Sequence, residues 1–257
     1  MGENYLIDGN VKDLIIREAG VSKADTVLEI GPGFGALTID MASSGAKVFA
    51  VDKDKKACVI LKEIVGGKYK NLEIVNDDML KFDIRKLKAP KNIKVIGNLP
   101  YYVTTPIIEY LIENRRSIES ALIVIQKEVA LRLLAGPGSK DYGSISCFIQ
   151  YYTKPAYIHT IKRTSFYPEP EVDSSLLRLD FLDKPSVDVS DEELFFKIVR
   201  GAFNQRRKTI MNSLSREAVL GLPKEDMAAI FARAGVDPSS RPEDLPLSAF
   251  ASLTNAI

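Results

Sequence analysis

Short apolar runs recur along the first half of the chain, and longer segments with helical spacing separate them. The runs are the candidate strands 26–30, 47–52, 72–77, 93–99 and 120–126. Strands that alternate with helices form right-handed βαβ units, which give a mostly parallel sheet with helices on both faces. The near-continuous apolar character of 120–126 agrees with burial on both sides. A last strand over 173–181 is predicted to be antiparallel and to lie at or near an edge.

The pattern changes near Asp183, where the stretch LDKPSVDVSD is typical of a linker. Ser190 followed by Glu193 is a capping-box signal for a helix start. Helical patterns separated by Pro and Gly continue from there, and no strand pattern occurs among them. We therefore predict an α/β domain over residues 1–183 and a small all-helical domain over residues 184–257.

Composition is typical of a soluble globular protein, with 46% hydrophobic and 27% charged residues. No apolar run reaches the ~20 residues needed to cross a bilayer. Cys58 and Cys147 lie in apolar segments, so we expect two buried free thiols, which suit a reducing cytoplasm. His159 is the sole histidine, which excludes a histidine-rich zinc site. No bound metal is expected.

Charge is balanced overall, with a net value of +1, but it is unevenly distributed. Residues 194–216 carry six basic residues and no acidic one, and the densest part is Arg206, Arg207 and Lys208. A second basic stretch spans residues 127–163. One such cluster is usually a solvated face, whereas two in a nearly neutral protein favour a local surface for phosphate groups.

Glycines follow the first predicted strand in the stretch VLEIGPGFGALT. Gly31 and Gly33 allow a tight turn there and let backbone N–H groups approach a ligand closely. Asp52 ends the second strand at the spacing from which a carboxylate accepts hydrogen bonds from ribose hydroxyls. These residues predict an adenosine cofactor, either NAD or S-adenosylmethionine, and the pattern alone does not separate the two. A turn that serves only packing is the less favoured interpretation.

Two acids follow the third predicted strand. Asp78 could accept a hydrogen bond from the amino group of a cofactor adenine. Asp77 is the competing candidate for that role, and a solvated turn with two acids is the alternative to both.

The fourth strand ends in Asn98, Leu99, Pro100 and Tyr101, and this stretch favours methyl transfer to an amino group. An exocyclic amino group on adenine is a weak nucleophile because its lone pair is delocalised into the ring. Two hydrogen-bond acceptors on that nitrogen favour a localised lone pair, and the Asn98 oxygen offers one of them. A backbone carbonyl at Leu99 or Pro100 offers the other. The ring of Tyr101 provides a surface on which a base can stack. A dehydrogenase has no evident use for this arrangement.

The sequence resembles the ribosomal RNA adenine-N6,N6-dimethyltransferases that modify the small ribosomal subunit. The resemblance covers nearly the whole chain and rests on the stretches ENYLID, EIGPGFGALT, VDKD, NDDML, GNLPYYVTTPII, IQKEVALRLLAGPGSKDYGSISCFIQYY, FYPEPEVDSSLLRL and FNQRRKTIMNSL. It implies a Rossmann-like methyltransferase domain with a helical C-terminal domain, S-adenosylmethionine as the cofactor, and small-subunit ribosomal RNA as the substrate and partner. It also implies a cytoplasmic protein, and we expect a monomer.

Carried over by position, the resemblance assigns roles to individual residues. The cofactor residues it implies are Asn4, Leu6, Gly31, Asp52, Asp78 and Asn98, to which the glycine turn adds Gly33. Asn98 to Tyr101 would form the target-adenine site. Phe166 would close on the other face of that base, and the basic residues of the helical domain would contact RNA phosphates.

The chain departs from the family pattern at two points. Asp52 stands where most relatives would have Glu, so its reach is one methylene shorter. The usual basic extension before the first motif is missing, which lowers the RNA affinity that we expect. Three alternatives remain: a large-subunit rRNA methylase of the macrolide-resistance type, a noncatalytic assembly or transcription factor on the same fold, and an NAD-dependent oxidoreductase.

Overall fold

The computed structural model of the protein describes residues 4–87, 89, 93–205, 207–216 and 220–257, except for the side chains at 216, 224 and 225. The chain forms two compact units. The first contains Met1–Ala130 and Ala156–Phe181, and the second contains Leu131–Pro155 and Leu182–Ile257.

The strands follow one another in an α/β arrangement along the chain. They are β1 (Tyr5–Leu6), β2 (Thr26–Ile30), β3 (Lys47–Asp52), β4 (Leu72–Asn76), β5 (Ile93–Asn98), β6 (Ile118–Gln126), β7 (Thr153–Ile161), β8 (Phe166–Tyr167) and β9 (Ser174–Phe181). The helices of the first unit are α1 (Gly9–Ala19), α2 (Thr38–Ser43), α3 (Lys55–Val65) and α4 (Thr104–Glu113), and α5 (Lys127–Leu134) begins in it.

Within the described residues the main sheet has seven strands in the order β4-β3-β2-β5-β6-β9-β7. The neighbouring strands from β4 to β6 are parallel, and β9 pairs with β6 in the antiparallel direction. The predicted α/β fold with a mostly parallel sheet is confirmed. Strand β7 lies outside β9 at the sheet edge, a strand that the hydrophobic pattern did not predict.

The core of the first unit lies on both faces of the central strands. Every residue of β2 is buried, as expected of a strand with helices on both faces. Helix α1 presents Val11, Ile15 and Ala19 to this core at a spacing of one helical turn. Each large aliphatic side chain buried in this way stabilises the fold by about 1.5–3 kcal/mol.

Strands β1 and β8 form a second, two-stranded antiparallel sheet in which Leu6 pairs with Phe166. The pairing is extended by the Ile7 N–H, which donates to the Ser165 carbonyl at 2.9 Å, and by the Ser165 hydroxyl, which donates to Asp8 at 3.0 Å. The N-terminal segment is therefore fixed to the loop before β9.

The second unit contains α6 (Ser144–Tyr152), α7 (Glu192–Phe203), α8 (Ile210–Arg216), α9 (Lys224–Ala234) and α10 (Leu247–Asn255). Tyr151 stacks on Phe195 with 4.9 Å between ring centroids, and the Tyr152 hydroxyl donates to Glu192 at 2.5 Å. These contacts explain why residues 131–155 group with the C-terminal helices, although the sequence pattern placed them in the domain over residues 1–183. The C-terminal part of the unit begins after Phe181, next to the predicted boundary.

Both cysteines are buried and free, which confirms the prediction made for them. In the part of the chain that the structure describes, no helix has the length and apolar character required to cross a membrane. Among those same residues, no cluster of His, Cys, Asp and Glu side chains is arranged to hold a metal ion.

Candidate active site

Two neighbouring cavities lie at the carboxyl ends of β2, β3 and β5, where open α/β sheets bind their ligands. The first, here called the Asn98 cavity, has an empty volume of about 440 Å³ and is lined by Asn4, Tyr5, Gly31, Gly33, Asp52, Asn98, Leu99, Pro100 and Tyr101. The second, the Asp78 cavity, has an empty volume of about 600 Å³ and is lined by Ile30, Gly31, Val51, Asp52, Lys53, Asp77, Asp78, Met79, Leu80, Pro100, Tyr102, Val103 and Ile107. Gly31, Asp52 and Pro100 line both, so one extended ligand can occupy them together.

The glycine turn after β2 has backbone geometry that other residues adopt only with strain. Gly31 and Gly33 have φ angles of 68° and 53°. A Cβ on Gly33 would also lie 3.0 Å from the ring of Tyr5 on strand β1. Glycine at position 33 therefore permits both the turn and the close approach of the N-terminal strand.

Asp52 is buried at the end of β3, with its carboxylate held by two backbone N–H groups. One oxygen accepts from Asp54 at 2.8 Å and the other accepts from Gly33 at 3.3 Å. The second contact fixes the carboxylate against the glycine turn, where it lines both cavities. A carboxylate held here can accept hydrogen bonds from vicinal hydroxyl groups, and the predicted role of Asp52 toward a ribose stays a prediction.

Asp78 lines the Asp78 cavity and not the Asn98 cavity. Its Oδ2 atom accepts from the Lys53 ammonium at 2.9 Å, and its Oδ1 atom accepts from the Leu80 N–H at 3.1 Å. The hydrogen bond from Lys53 is the main cause that holds the pKa of Asp78 below its ordinary value. Asp78 is thus ionised at neutral pH and acts only as an acceptor. Asp77 lines the same cavity but uses an oxygen to accept from the Asp78 N–H at 2.8 Å.

Asn98 ends strand β5, and its carboxamide has a fixed orientation. The Nδ2 atom lies 2.7 Å from the main-chain carbonyl oxygen of Asn4. A carbonyl can only accept, so the amide must direct its NH₂ group to Asn4 and its Oδ1 atom elsewhere. The described residues provide no donor to Oδ1, which leaves this oxygen as an acceptor for a ligand in the cavity.

The structure also distinguishes between the carbonyls of Leu99 and Pro100, which the sequence left as alternatives for the second hydrogen-bond acceptor. The Pro100 carbonyl accepts from the Val103 N–H at 3.1 Å and from the Thr104 hydroxyl at 3.2 Å. Both of its lone-pair directions are therefore used. No donor among the described residues bonds the Leu99 carbonyl. Leu99 is the better candidate for the second acceptor.

Tyr101 lines the Asn98 cavity, and its hydroxyl lies 3.0 Å from the hydroxyl of Ser174. Ser174 begins β9 and is completely buried. This hydrogen bond joins the loop after β5 to β9, which lies on the far side of β6 in the sheet, and it fixes the position of the Tyr101 hydroxyl.

The sequence analysis missed one buried carboxyl group, which lies close to Asp52 but lines neither cavity. Glu29, in the middle of β2, is only 2% exposed, and no described residue bonds its Oε2 atom. Burial raises the pKa of Glu29 from 4.5 to about 8, and the nearby charge of Asp52 adds to the effect. An acid inside the apolar run TVLEI was the available signal.

Leu6 and Phe166 are paired with each other away from the two cavities. Phe166 is only 3% exposed and belongs to the hydrophobic core, against which Leu6 packs. The neighbouring Tyr167 ring is 70% exposed. Among the residues predicted for the cofactor and the target base, these two line neither cavity, and their roles stay predictions.

The predicted RNA contacts lie in the second unit. Arg207 and Lys208 are exposed, between α7 and α8. Arg206 lies outside the described residues. Their contact with RNA stays a prediction.

The family model for ribosomal RNA adenine dimethylases matches residues 1–257, the full length of the chain. The chain belongs to this family. Among curated relatives of this dimethylase, the ribosomal RNA small subunit methyltransferase A of Moorella thermoacetica is 43% identical, with 100% of this chain and 91% of the relative covered. The protein of the same name from Alkaliphilus oremlandii is 45% identical, with 99% and 90% covered.

Solved structures agree with this family and fold. A dimethyladenosine transferase from Plasmodium falciparum is 27% identical with a TM-score of 0.85, and 97% of this dimethylase and 95% of that chain are covered. The 23S rRNA methyltransferase ErmE is 26% identical with a TM-score of 0.76, with 98% and 99% covered. The resemblance stated from the sequence is confirmed, and the fold and family are those of S-adenosylmethionine-dependent methyltransferases. The higher identity to the small-subunit enzymes favours that branch over the large-subunit alternative.

Proposed function

We propose that this protein transfers methyl groups from S-adenosylmethionine to the N6 atom of adenine in small-subunit ribosomal RNA, twice on each target base. The observation that carries the proposal is the fixed Asn98 carboxamide, which directs an acceptor oxygen into a cavity shared with the glycine turn and Asp52. The names of the relatives give the substrate class.

The residues present fit the cofactor. The lining of the Asp78 cavity combines buried apolar side chains with the carboxylates of Asp52 and Asp78, and small-molecule sites commonly have such an apolar wall with a few polar groups. Asp52 would hold the ribose hydroxyls, and Asp78 would accept from the adenine amino group. Gly31, Gly33, Asn4 and Asn98 would line the path of the amino-acid portion, whereas Leu6 lines neither cavity and stays a predicted cofactor residue. When bound, the cofactor supplies an electrophilic methyl group on a sulfonium sulfur.

The chain's own part in the chemistry is to position the target amino group. Asn98 Oδ1 accepts one N6 hydrogen, and the Leu99 carbonyl accepts the other. Acceptance at both hydrogens localises the nitrogen lone pair and directs it at the methyl group. No strong base is required, because the nitrogen proton becomes acidic once the nitrogen is alkylated.

The target base must leave its stack in the RNA to reach this cavity. Tyr101 provides one stacking face, and the hydrogen bond between its hydroxyl and that of Ser174 holds the end of the ring in place. We assign Phe166 to the opposite face, which requires its ring to move out of the core that it occupies in this structure. Stacking on the two faces of the target base leaves space around N6, so that a monomethylated nitrogen can rotate for the second transfer.

We assign binding of RNA phosphates to Arg206, Arg207 and Lys208, within a helical domain over residues 184–257 that serves the methyltransferase domain over residues 1–183. The protein would act as a monomer in the cytoplasm, where its two free thiols stay reduced.

The test is transfer of labelled methyl groups to small-subunit and large-subunit ribosomal RNA, followed by nuclease digestion and mass spectrometry of the nucleosides. We expect N6,N6-dimethyladenosine in the small-subunit RNA alone. Methylation of the large-subunit RNA would support the alternative branch, and RNA binding without any transfer would support a noncatalytic assembly factor. Accumulation of monomethyladenosine alone would contradict dimethylation.

A further inference from the structure

Two adjacent tyrosines after Pro100 line different cavities. Tyr101 lines the Asn98 cavity, whereas Tyr102 lines the Asp78 cavity. Tyr102 is 69% exposed, so its ring stands at the opening of that cavity and is largely hydrated. The 3-10 turn Tyr101–Val103 produces this divergence, because consecutive side chains of a tight helical turn point in different directions.

The Asp78 cavity is apolar on one side and open on the other. Val51, Met79 and Ile107, all buried, form part of its wall. Toward solvent it has Lys53, whose side chain is 77% exposed and whose ammonium is held by Asp78. Tyr102 is the only aromatic residue among the described residues that line this cavity.

We propose that Tyr102 stacks on the adenine ring of the cofactor and closes the solvent side of the Asp78 cavity. The proposal rests on the proposed function, since it takes S-adenosylmethionine as the ligand. Asp52 and Asp78 bind opposite ends of the adenosine and so confine its ring between them. An aromatic ring at the opening can cover the exposed face, and both ring faces lose hydration on contact. The hydroxyl of Tyr102 has no part in this role, so the ring alone should suffice.

The test measures binding of S-adenosylhomocysteine and methylthioadenosine by calorimetry. Tyr102→Ala should weaken both ligands by on the order of tenfold, as loss of one base–aromatic stack does. Because methylthioadenosine lacks the amino-acid portion, an equal loss for both ligands assigns the effect to the adenosine. Tyr102→Phe should stay within about twofold of the unsubstituted protein, since it keeps the ring.

Tyr167→Ala is the matched control, because Tyr167 is 70% exposed and lines neither cavity. It should leave both affinities unchanged. Tyr102→Ala with unchanged ligand affinities would overturn the proposal, and a loss confined to RNA affinity would assign the ring to the substrate instead. An equal loss in Tyr102→Phe would also overturn it. If the unsubstituted protein binds neither ligand, the proposed function fails before Tyr102 is tested.

Discussion

At the scale of single residues, the orientation of Asn98 depends on a group from a distant part of the chain. The Asn4 carbonyl that bonds Nδ2 is 94 positions away in sequence. The residue types after β5 predict an acceptor at position 98, but no local pattern shows what holds the amide. The same holds for Tyr101, whose partner Ser174 is 73 positions away.

Asn98→Asp should make turnover on RNA depend on pH, because the orientation of the new side chain depends on whether it is protonated. A carboxylate has no hydrogen to donate to the Asn4 carbonyl, so the ionised side chain would be repelled from it. A protonated carboxyl would restore both a donor and an acceptor. We expect turnover on RNA to fall by about 10²-fold at about pH 8 and to recover as the pH is lowered toward about pH 5.5.

The measurement is single-turnover methyl transfer across this pH range for the unsubstituted enzyme, Asn98→Asp and Asn98→Ala. Asn98→Ala should be inactive at every pH while binding S-adenosylhomocysteine with only modest loss. If Asn98→Asp follows the pH profile of the unsubstituted enzyme, the Asn4 carbonyl does not orient this side chain.

Ser174→Ala tests the hydrogen bond to Tyr101. Loss of one hydrogen bond, worth about 0.5–1.5 kcal/mol, should lower kcat/KM for RNA by roughly 2- to 10-fold without changing cofactor affinity. Tyr101→Phe should lower it equally, and the double variant should be no worse than either single one.

Ser175→Ala is the matched control for this prediction. Ser175 is the next residue of β9 and is equally buried, and its hydroxyl has no partner among the described residues. Its substitution should leave kcat/KM unchanged. Independent, multiplicative losses in Ser174→Ala and Tyr101→Phe would show that the hydroxyl pair does not act as a unit.

At the scale of elements, the hydrophobic pattern predicted the central strands because burial on both faces makes them nearly continuous apolar runs. It missed β7, whose residues alternate between exposed and partly buried and include Pro155. It also missed β1 and β8, which contain two residues each. A two-residue strand has no periodicity, so only the contact between distant segments shows it.

Strand β2 also lowers the stability of the fold at higher pH, because it buries the Glu29 carboxyl. The folded state keeps a proton on this group up to about pH 8, whereas the unfolded chain releases it near pH 4.5. The folded state is therefore favoured fully below about pH 4.5, and this stabilisation is lost as the pH rises toward about pH 8.

Glu29→Gln removes this titration. The free energy of unfolding of the variant, relative to the unsubstituted protein, should rise by a few kcal/mol between about pH 5 and about pH 8. Urea unfolding at several pH values measures it, and Glu73→Gln, at an exposed position of β4, is the control that should show no such trend. A constant difference at all pH values would mean that Glu29 is ionised in the folded protein.

At the scale of the whole molecule, the second unit joins segments that are distant in sequence, and the hydrophobic pattern along the chain does not predict such a grouping. The linker-like stretch near Asp183 predicted where the C-terminal helices begin. Residues 131–155 join them through rings such as Tyr151 and Phe195, which come from segments on either side of β9. Apolar helix faces indicate that a partner exists, but they do not identify it.

The basic cluster is a whole-molecule feature as well, because a net charge of +1 provides little general attraction to RNA. Replacing Arg207 and Lys208 with Ala should weaken RNA binding and flatten its salt dependence. Each lost phosphate contact should reduce the slope of log K against log salt by ~0.7–0.9, because fewer counterions are released.

Replacing Lys184 and Arg241 with Ala removes the same charge elsewhere in this unit and is the matched control. It should leave the slope unchanged, and both variants should bind S-adenosylhomocysteine normally. Equal slopes for all three proteins would make the cluster an ordinary solvated face, and an equal reduction in both variants would mean that total charge, not this cluster, determines the affinity.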